Sequence, residues 1–311
     1  MATTIETALK RFASATMLMK IVVINIAVFL VLNIISIVMI FAGEESGRFI
    51  VEQWVAMPGN FGRLARHAWT PLSYMFSQIE PLHLIFNMLW LYWFGIVFQL
   101  LSTPKRMIGL YLLGGLGGAA LYLLAVNTIP YFAGHGGLLI GSSASVIAIV
   151  TATAIMAPDY RMNLLFLGAV SLKWIAIVTI GIDLLSVTGS NAGGHIAHLA
   201  APPAGHTPPP GGAAVGAIFA LGLKRGHDIT APLNSLIDAI VNLFRRRPKV
   251  RPARFRASGA PSAPRPKAPS AASAADQAEL DNILDKIKKS GYSSLTADER
   301  ARLFDVSRRI K

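Results

Sequence analysis

Residues 21–41 run for about 21 positions without one charged side chain, enough for a helix to cross the roughly 30 Å hydrocarbon core of a bilayer. In lipid every backbone donor and acceptor must be paired inside the protein, which leaves only helices and closed barrels as spanning structures. Further apolar stretches follow at 82–101 and 107–129, and from near Leu139 to Met156, just before Pro158. A short stretch at 174–187 reaches full length only if 164–172 extends it, and a last one starts near Gly194 and ends before Lys224, interrupted by five prolines. The fold class expected is therefore an all-α membrane protein with six transmembrane helices. Composition agrees, since charged residues make up 14% of the chain and a soluble domain carries about 25%. There is no cysteine, which excludes disulfides, thiolate metal sites and a cysteine nucleophile.

The net charge of +13 belongs to one end: of 29 Lys and Arg, 19 lie at or after Lys224. The basic character therefore describes a tail, and no nucleic-acid partner is expected. Lys10, Arg11 and Lys20 precede the first apolar stretch, which is too long for a signal-peptide core and has no obvious cleavage site. Loop charges set the orientation. Lys105, Arg106, Arg161, Lys173, Lys224 and Arg225 mark one side, and the arginines of the long loop 43–81 are offset by Glu44, Glu45, Glu52 and Glu80. Both termini are expected to be cytoplasmic. The organisation expected is an N-terminal segment 1–20, a six-span domain 21–226, an amphipathic juxtamembrane helix 227–247, a disordered basic linker 248–275 and a helical tail 276–311. The helix ends in Arg245-Arg246-Arg247, so the lipid bilayer is an expected partner, anionic lipids included. Thr296 and Glu299 have the spacing of a capping box.

Polar side chains inside a bilayer are costly and need a reason. Span two opens with His83 and Asn87, on one helix face by their i, i+4 spacing. Span four opens Gly141-Ser142-Ser143-Ala144-Ser145, and span six carries His195 and His198. In the expected topology these three helices start on the same side, so the residues share one layer. A hydroxyl, histidines and an amide together are the inventory of nucleophilic acyl transfer. Ser143 at a helix N-terminus also has backbone N–H groups and a dipole suited to a developing negative charge.

These motifs resemble the rhomboid family of intramembrane serine proteases: His83-xxx-Asn87, Gly141-x-Ser143, and a histidine followed by a glycine pair, over roughly residues 70–225. The tail from Leu280 to Phe304 also resembles a cytoplasmic helical extension found in some bacterial members. The resemblance implies a six-helix rhomboid bundle in the bacterial inner membrane and a serine-type endopeptidase that cuts transmembrane protein substrates with a Ser–His dyad, without metal or cofactor. Carried over by motif, Ser143 is the nucleophile, and His83 and Asn87 stabilise the oxyanion with the Ser143 N–H. Where the family usually has glycine after the serine, this chain has Ala144.

The family pattern around the base is His-x-x-Gly with another glycine four residues on. It fails from His195 and, as written, from His198. Without residues 200–210, which read AAPPAGHTPPP, His198-Leu199 joins Gly211-Gly212 and the pattern returns with Gly216. Length agrees. The 26 residues from His198 to Lys224 exceed the 15 from Ser143 to Pro158, and removing those 11 equalises them. The segment reads as an insertion, or a local reading-frame shift. His198 is the expected base and His195 the runner-up. The insertion also motivates an alternative, a catalytically impaired rhomboid-like pseudoenzyme that binds membrane helices.

Other polar residues have blander readings. The His195/His198 pair has no carboxylate nearby in sequence, so no metal is expected. Asp183 reads as a buried, hydrogen-bonded structural acid, with a proton relay as the rival. Gly114 to Gly118 is a helix-packing GxxxG. His67, His135 and His227 read as solvated loop residues, and His206 has no assignable role.

Overall fold

A computed structural model describes residues 4–133, 138–164, 168–186, 192–198 and 211–244, with scattered positions between 282 and 303. The chain divides into two compact units, Met1–Arg247 and Pro248–Lys311. The first begins with α1 (Thr4–Ser14) and α2 (Met17–Phe41), the latter capped by Thr16 Oγ1, which accepts from the Met19 N–H at 3.3 Å. Short elements follow: α3 (Gly47–Val55), β1 (Met57–Pro58), α4 (Phe61–Arg66), α5 (Thr70–Ser73) and a 3-10 turn at Tyr74–Phe76. Next come α6 (Pro81–Leu101) and α7 (Pro104–Thr128), each with a proline in its first turn, where a missing N–H costs nothing. The remainder is α8 (Pro130–Ala133), β2 (Leu138–Leu139), α9 (Ser143–Met156), β3 (Arg161–Leu164), β4 (Gly168–Ser171), α10 (Leu172–Ser186), α11 (Ala192–His198), α12 (Gly212–Lys224) and α13 (Ala231–Phe244).

Among the described residues, α2, α6 and α7 are long and apolar enough to cross a membrane, while α9 and α12 are apolar but shorter. On α2, Leu30, Val31, Ile34, Val38 and Phe41 are exposed, as on a helix surrounded by lipid. The 14 residues of α9 amount to about 21 Å of helix.

Several boundaries differ from those read in the sequence. The fourth apolar stretch does not become helix at Leu139. Leu138 and Leu139 pair antiparallel with Pro58 and Met57, and Gly141, at φ +126°, breaks the backbone before Ser143. Residues 164–172 do not extend the fifth helix. Strands β3 and β4 form an antiparallel hairpin, Arg161 opposite Ser171 and Leu164 opposite Gly168, and α10 starts only at Leu172. The first helix begins before residue 21, at Met17, with Lys20 inside it. The sixth stretch is two helices, α11 and α12. The proline-rich residues 200–210, with His206, lie outside the described residues, as do His135 and the linker 248–275.

The centre of the first unit is α9. Residues 144–154 are all buried, as expected of a helix apolar all round. It packs against α6, α7, α10, α11 and α12. The closest approaches use two glycine pairs. A Cβ on Gly114 or Gly118 of α7 would fall 2.5 Å from the Ala148 Cβ or 2.6 Å from the Ala144 Cβ. On the other side, a Cβ on Gly212 or Gly216 of α12 would fall 2.2 Å from the Ala144 or Ala148 carbonyl oxygen. One turn of α9 is thus held between two glycine-xxx-glycine faces, the small-residue packing that membrane helices use in place of hydrophobic burial.

At the far end of this unit, α13 docks on α7. Arg106 Nε donates to Asp228 Oδ2 at 2.7 Å, and the exposed Lys105–Asp238 pair adds a second bridge. Partial burial works against charge on Asp228, but hydrogen bonds from Thr230 and Arg106 hold its carboxyl below the ordinary value. Leu236, Ile240, Val241 and Leu243 stay exposed on α13, consistent with an amphipathic interfacial helix. In the second unit, Thr296 and Glu299 form the capping box. The Thr296 N–H donates to Glu299 Oε2 at 2.7 Å, and the Glu299 N–H donates to Thr296 Oγ1 at 3.3 Å.

The glycine contacts give opposite expectations for one substitution. Gly212→Ala and Gly216→Ala each force a methyl into backbone and should destabilise by about 1–3 kcal/mol. Gly181→Ala in α10, where nothing lies within 4 Å of the added Cβ, should be neutral or stabilise by up to ~1 kcal/mol through helix propensity. Thermal unfolding in detergent checks the signs.

Candidate active site

Ser143 is the first residue of α9 and is half-buried. The turn before it is held twice: the Gly141 N–H donates to the Tyr74 carbonyl at 3.0 Å, and the His83 ring lies against Gly141. A Cβ on Gly141 would fall 2.7 Å from His83 Cε1, so both the positive φ and the close ring require glycine there. His83 therefore rests on the backbone that leads into Ser143.

Gly118 is where the chain neighbours of the two candidate catalytic residues approach. A Cβ there would lie 2.6 Å from the Ala144 Cβ and 2.9 Å from the Ala197 carbonyl oxygen. The residue after Ser143 and the residue before His198 thus share one gap on α7. The Ala144 methyl, the departure from the family's glycine, fills that gap. Gly212 meets the same Ala144 from the opposite side.

His195 and His198 converge on one carboxylate. Asp183 Oδ1 lies 2.8 Å from His195 Nδ1 and 3.0 Å from His198 Nδ1. Sequence distance hid this carboxylate; the ligand-type atoms of the three residues lie within 4.8 Å of one another, so the ground given for setting a metal aside does not hold in the fold. His198 Nε2 is buried and has no hydrogen-bond partner among the described residues, so no hydrogen bond joins it to Ser143.

Asn87 is engaged differently from the oxyanion role expected of it. Its Nδ2 donates to Gln78 Oε1 at 2.9 Å. Gln78 Nε2 in turn donates to Ser142 Oγ at 3.1 Å and to Asn25 Oδ1 at 3.2 Å. Tyr111 donates to the Met75 carbonyl at 2.7 Å and accepts from Asn25 at 3.1 Å. This buried network ties α2, α6, α7 and the loop before α6 to the residue preceding Ser143. The sequence reading missed it, although Asn25 and Gln78, polar residues in or beside apolar stretches, were the signal. His67 is also not simply solvated. Half-buried, it sits edge-on to Trp54 and Trp69, with ring centroids 5.3 and 5.1 Å away, while the two indoles stack at 5.9 Å.

Residues 65–207 match the family model described as the Rhomboid domain, and residues 270–309 match a family of unknown function (DUF6576). The chain is 30% identical over 192 residues to RHOMBOID-like protein 12, mitochondrial, of Arabidopsis thaliana, covering 58% of this chain and 53% of that protein. It thus spans about half the length of the curated relative it matches. No solved structure matches the chain.

Gln78→Leu keeps most of the volume but removes one hydrogen bond each from Asn87, Ser142 and Asn25. Unsatisfied buried groups cost about 1–3 kcal/mol each. The substitution should lower stability by at least ~2 kcal/mol, read as a fall in the unfolding midpoint in detergent.

Proposed function

We propose that the chain is a rhomboid-type intramembrane serine endopeptidase that cleaves transmembrane protein substrates; the match of residues 65–207 to the Rhomboid domain, the 30% identity to a RHOMBOID-like protein and, among the described residues, three helices long and apolar enough to cross a membrane support this reading. The observation that carries this reading is the meeting of the neighbours of Ser143 and His198 at Gly118. In this reading α2, α6, α7, α9, α10 and the α11–α12 pair are six spans of one bundle. Both termini lie on the side rich in loop Lys and Arg, and that side is the cytoplasm of a bacterial cell. The juxtamembrane helix and its three arginines lie on the lipid surface, followed by the linker 248–275 and the tail 276–311. No cofactor takes part.

The chemistry is acyl transfer. Ser143 Oγ attacks the scissile carbonyl carbon while its proton passes to His198 Nε2. The same proton goes to the leaving amine as the C–N bond breaks, and an ester to Ser143 remains. Water, deprotonated by His198, attacks the ester; the Oγ–acyl bond breaks, the acid leaves and the proton on His198 returns to Ser143 Oγ. The oxyanion is held by the Ser143 N–H, His83 and Asn87. Asn87 Nδ2 has two hydrogens, and Gln78 takes one, so a second donor is left.

One observation favours a second reading, a rhomboid-like protein that binds membrane helices without cutting them. His198 Nε2 makes no hydrogen bond to Ser143, and the proline-rich sequence 200–210 follows directly on α11, which carries the base. Misplacement by about 1 Å can cost roughly 100-fold in rate.

The full chain in liposomes with a model transmembrane substrate separates the readings. The protease reading expects cleavage by the parent and none detectable for Ser143→Ala or His198→Ala at unchanged expression. Undiminished cleavage by Ser143→Ala rejects the nucleophile. A parent that is inert but cleaves once residues 200–210 are deleted supports the second reading. A reporter fused after Gly226 should report the cytoplasmic side; an external signal would mean an odd number of spans.

A further inference from the structure

Asp183 is a buried acid on α10 that the proposed chemistry leaves unused. Resting on the protease reading, we propose that Asp183 is a positioning residue for the base: its carboxylate fixes His198 in the tautomer whose free Nε2 can take the Ser143 proton, so that the Ser–His pair works as the front of a Ser–His–Asp arrangement.

Three observations carry this. First, an ionised carboxylate only accepts hydrogen bonds. The 3.0 Å contact from His198 Nδ1 to Asp183 Oδ1 therefore places the ring hydrogen on Nδ1. Second, in a neutral imidazole a hydrogen on Nδ1 makes Nε2 the acceptor. That atom is buried and lacks a partner among the described residues, an arrangement suited to a donor arriving there. Third, the ring is held from behind by more than one contact. His195, one turn earlier on α11, donates its own Nδ1–H to the same Oδ1 at 2.8 Å, and the two rings stand nearly perpendicular with centroids 5.9 Å apart. The His195 contact anchors α11 to α10 at the level of the base. A carboxylate shared in this way also stabilises the imidazolium that forms when Nε2 takes the proton.

The structural alternative is that Asp183 only staples α10 to α11. The two roles differ in what they require of the His198 tautomer and of the chemical step. With 15N-histidine in the full chain in detergent at a pH where His198 is neutral, its spectrum should show hydrogen on Nδ1 and none on Nε2. Hydrogen on Nε2 overturns the proposal, as does a metal-bound Nδ1. This measurement needs neither activity nor a variant, so it stands even if Asp183→Asn does not fold.

In kinetics on the model substrate, Asp183→Asn should lower kcat at least ~100-fold with KM little changed, because the neutral amide no longer fixes the tautomer or offsets the imidazolium. Asp183→Glu, which restores the charge, should recover at least ~10-fold of that loss. A folded Asp183→Asn with parental kcat overturns the proposal, and so does an Asp183→Glu that stays as slow as the amide. If the parent itself cleaves nothing, the protease reading fails, and the tautomer measurement still decides whether Asp183 sets the ring.

Discussion

The close approach of α7 and α12 to one turn of α9 determines where everything else in the first unit can sit. Ala144 and Ala148 present their methyls to Gly114 and Gly118 and their carbonyls to Gly212 and Gly216. Lipid tails are as apolar as leucine, so burying apolar surface gives little force between membrane helices, and association rests on packing and hydrogen bonds. Glycine on both flanks lets three backbones come within reach of one another. The N-terminus of α9, with Ser143, is thereby set at the level where α11 ends. A helix that is buried on every side cannot shift without dislodging its neighbours.

Around that fixed turn lie two polar networks, while Ser145 Oγ and Thr151 Oγ1 of α9 are buried without a partner among the described residues. Gln78 joins Ser142, Asn87 and Asn25, and Asp183 joins both histidines of α11. In a low-dielectric interior satisfied networks of this kind rigidify what they connect. His198 Nε2 is buried and unpartnered among the described residues as well, and of these atoms it is the one that could act as a base.

Much of this was legible in the sequence, because its signals are local. A long uncharged run such as 21–41 reads as a span in any context, and Gly141-x-Ser143 marks a helix start through the backbone freedom of one glycine. The GxxxG from Gly114 to Gly118 announced a packing face, though not its partner. Gly212 and Gly216 were visible as half of a broken pattern, and the fold places them against α9 whatever lies between 199 and 211. What stayed hidden depends on contacts between distant elements. Asp183 is 12 and 15 positions from the histidines it holds, and Gln78 is 64 from Ser142. The hairpin at 161–171 looked like an apolar extension of a helix because short apolar runs fit either period.

The central claim is the proposed role of Ser143, rather than its neighbours Ser142 and Ser145, as a serine activated by a base. A fluorophosphonate phosphorylates only such a serine, so peptide mass spectrometry of the treated, folded full-length chain tests the claim directly. The account expects a single adduct on Ser143, with Ser142 spared because its hydroxyl is buried against Gln78 and Ser145 spared because it faces Gly115 inside the bundle. An adduct on Ser142 or Ser145, or none on a chain that is otherwise folded, would contradict it.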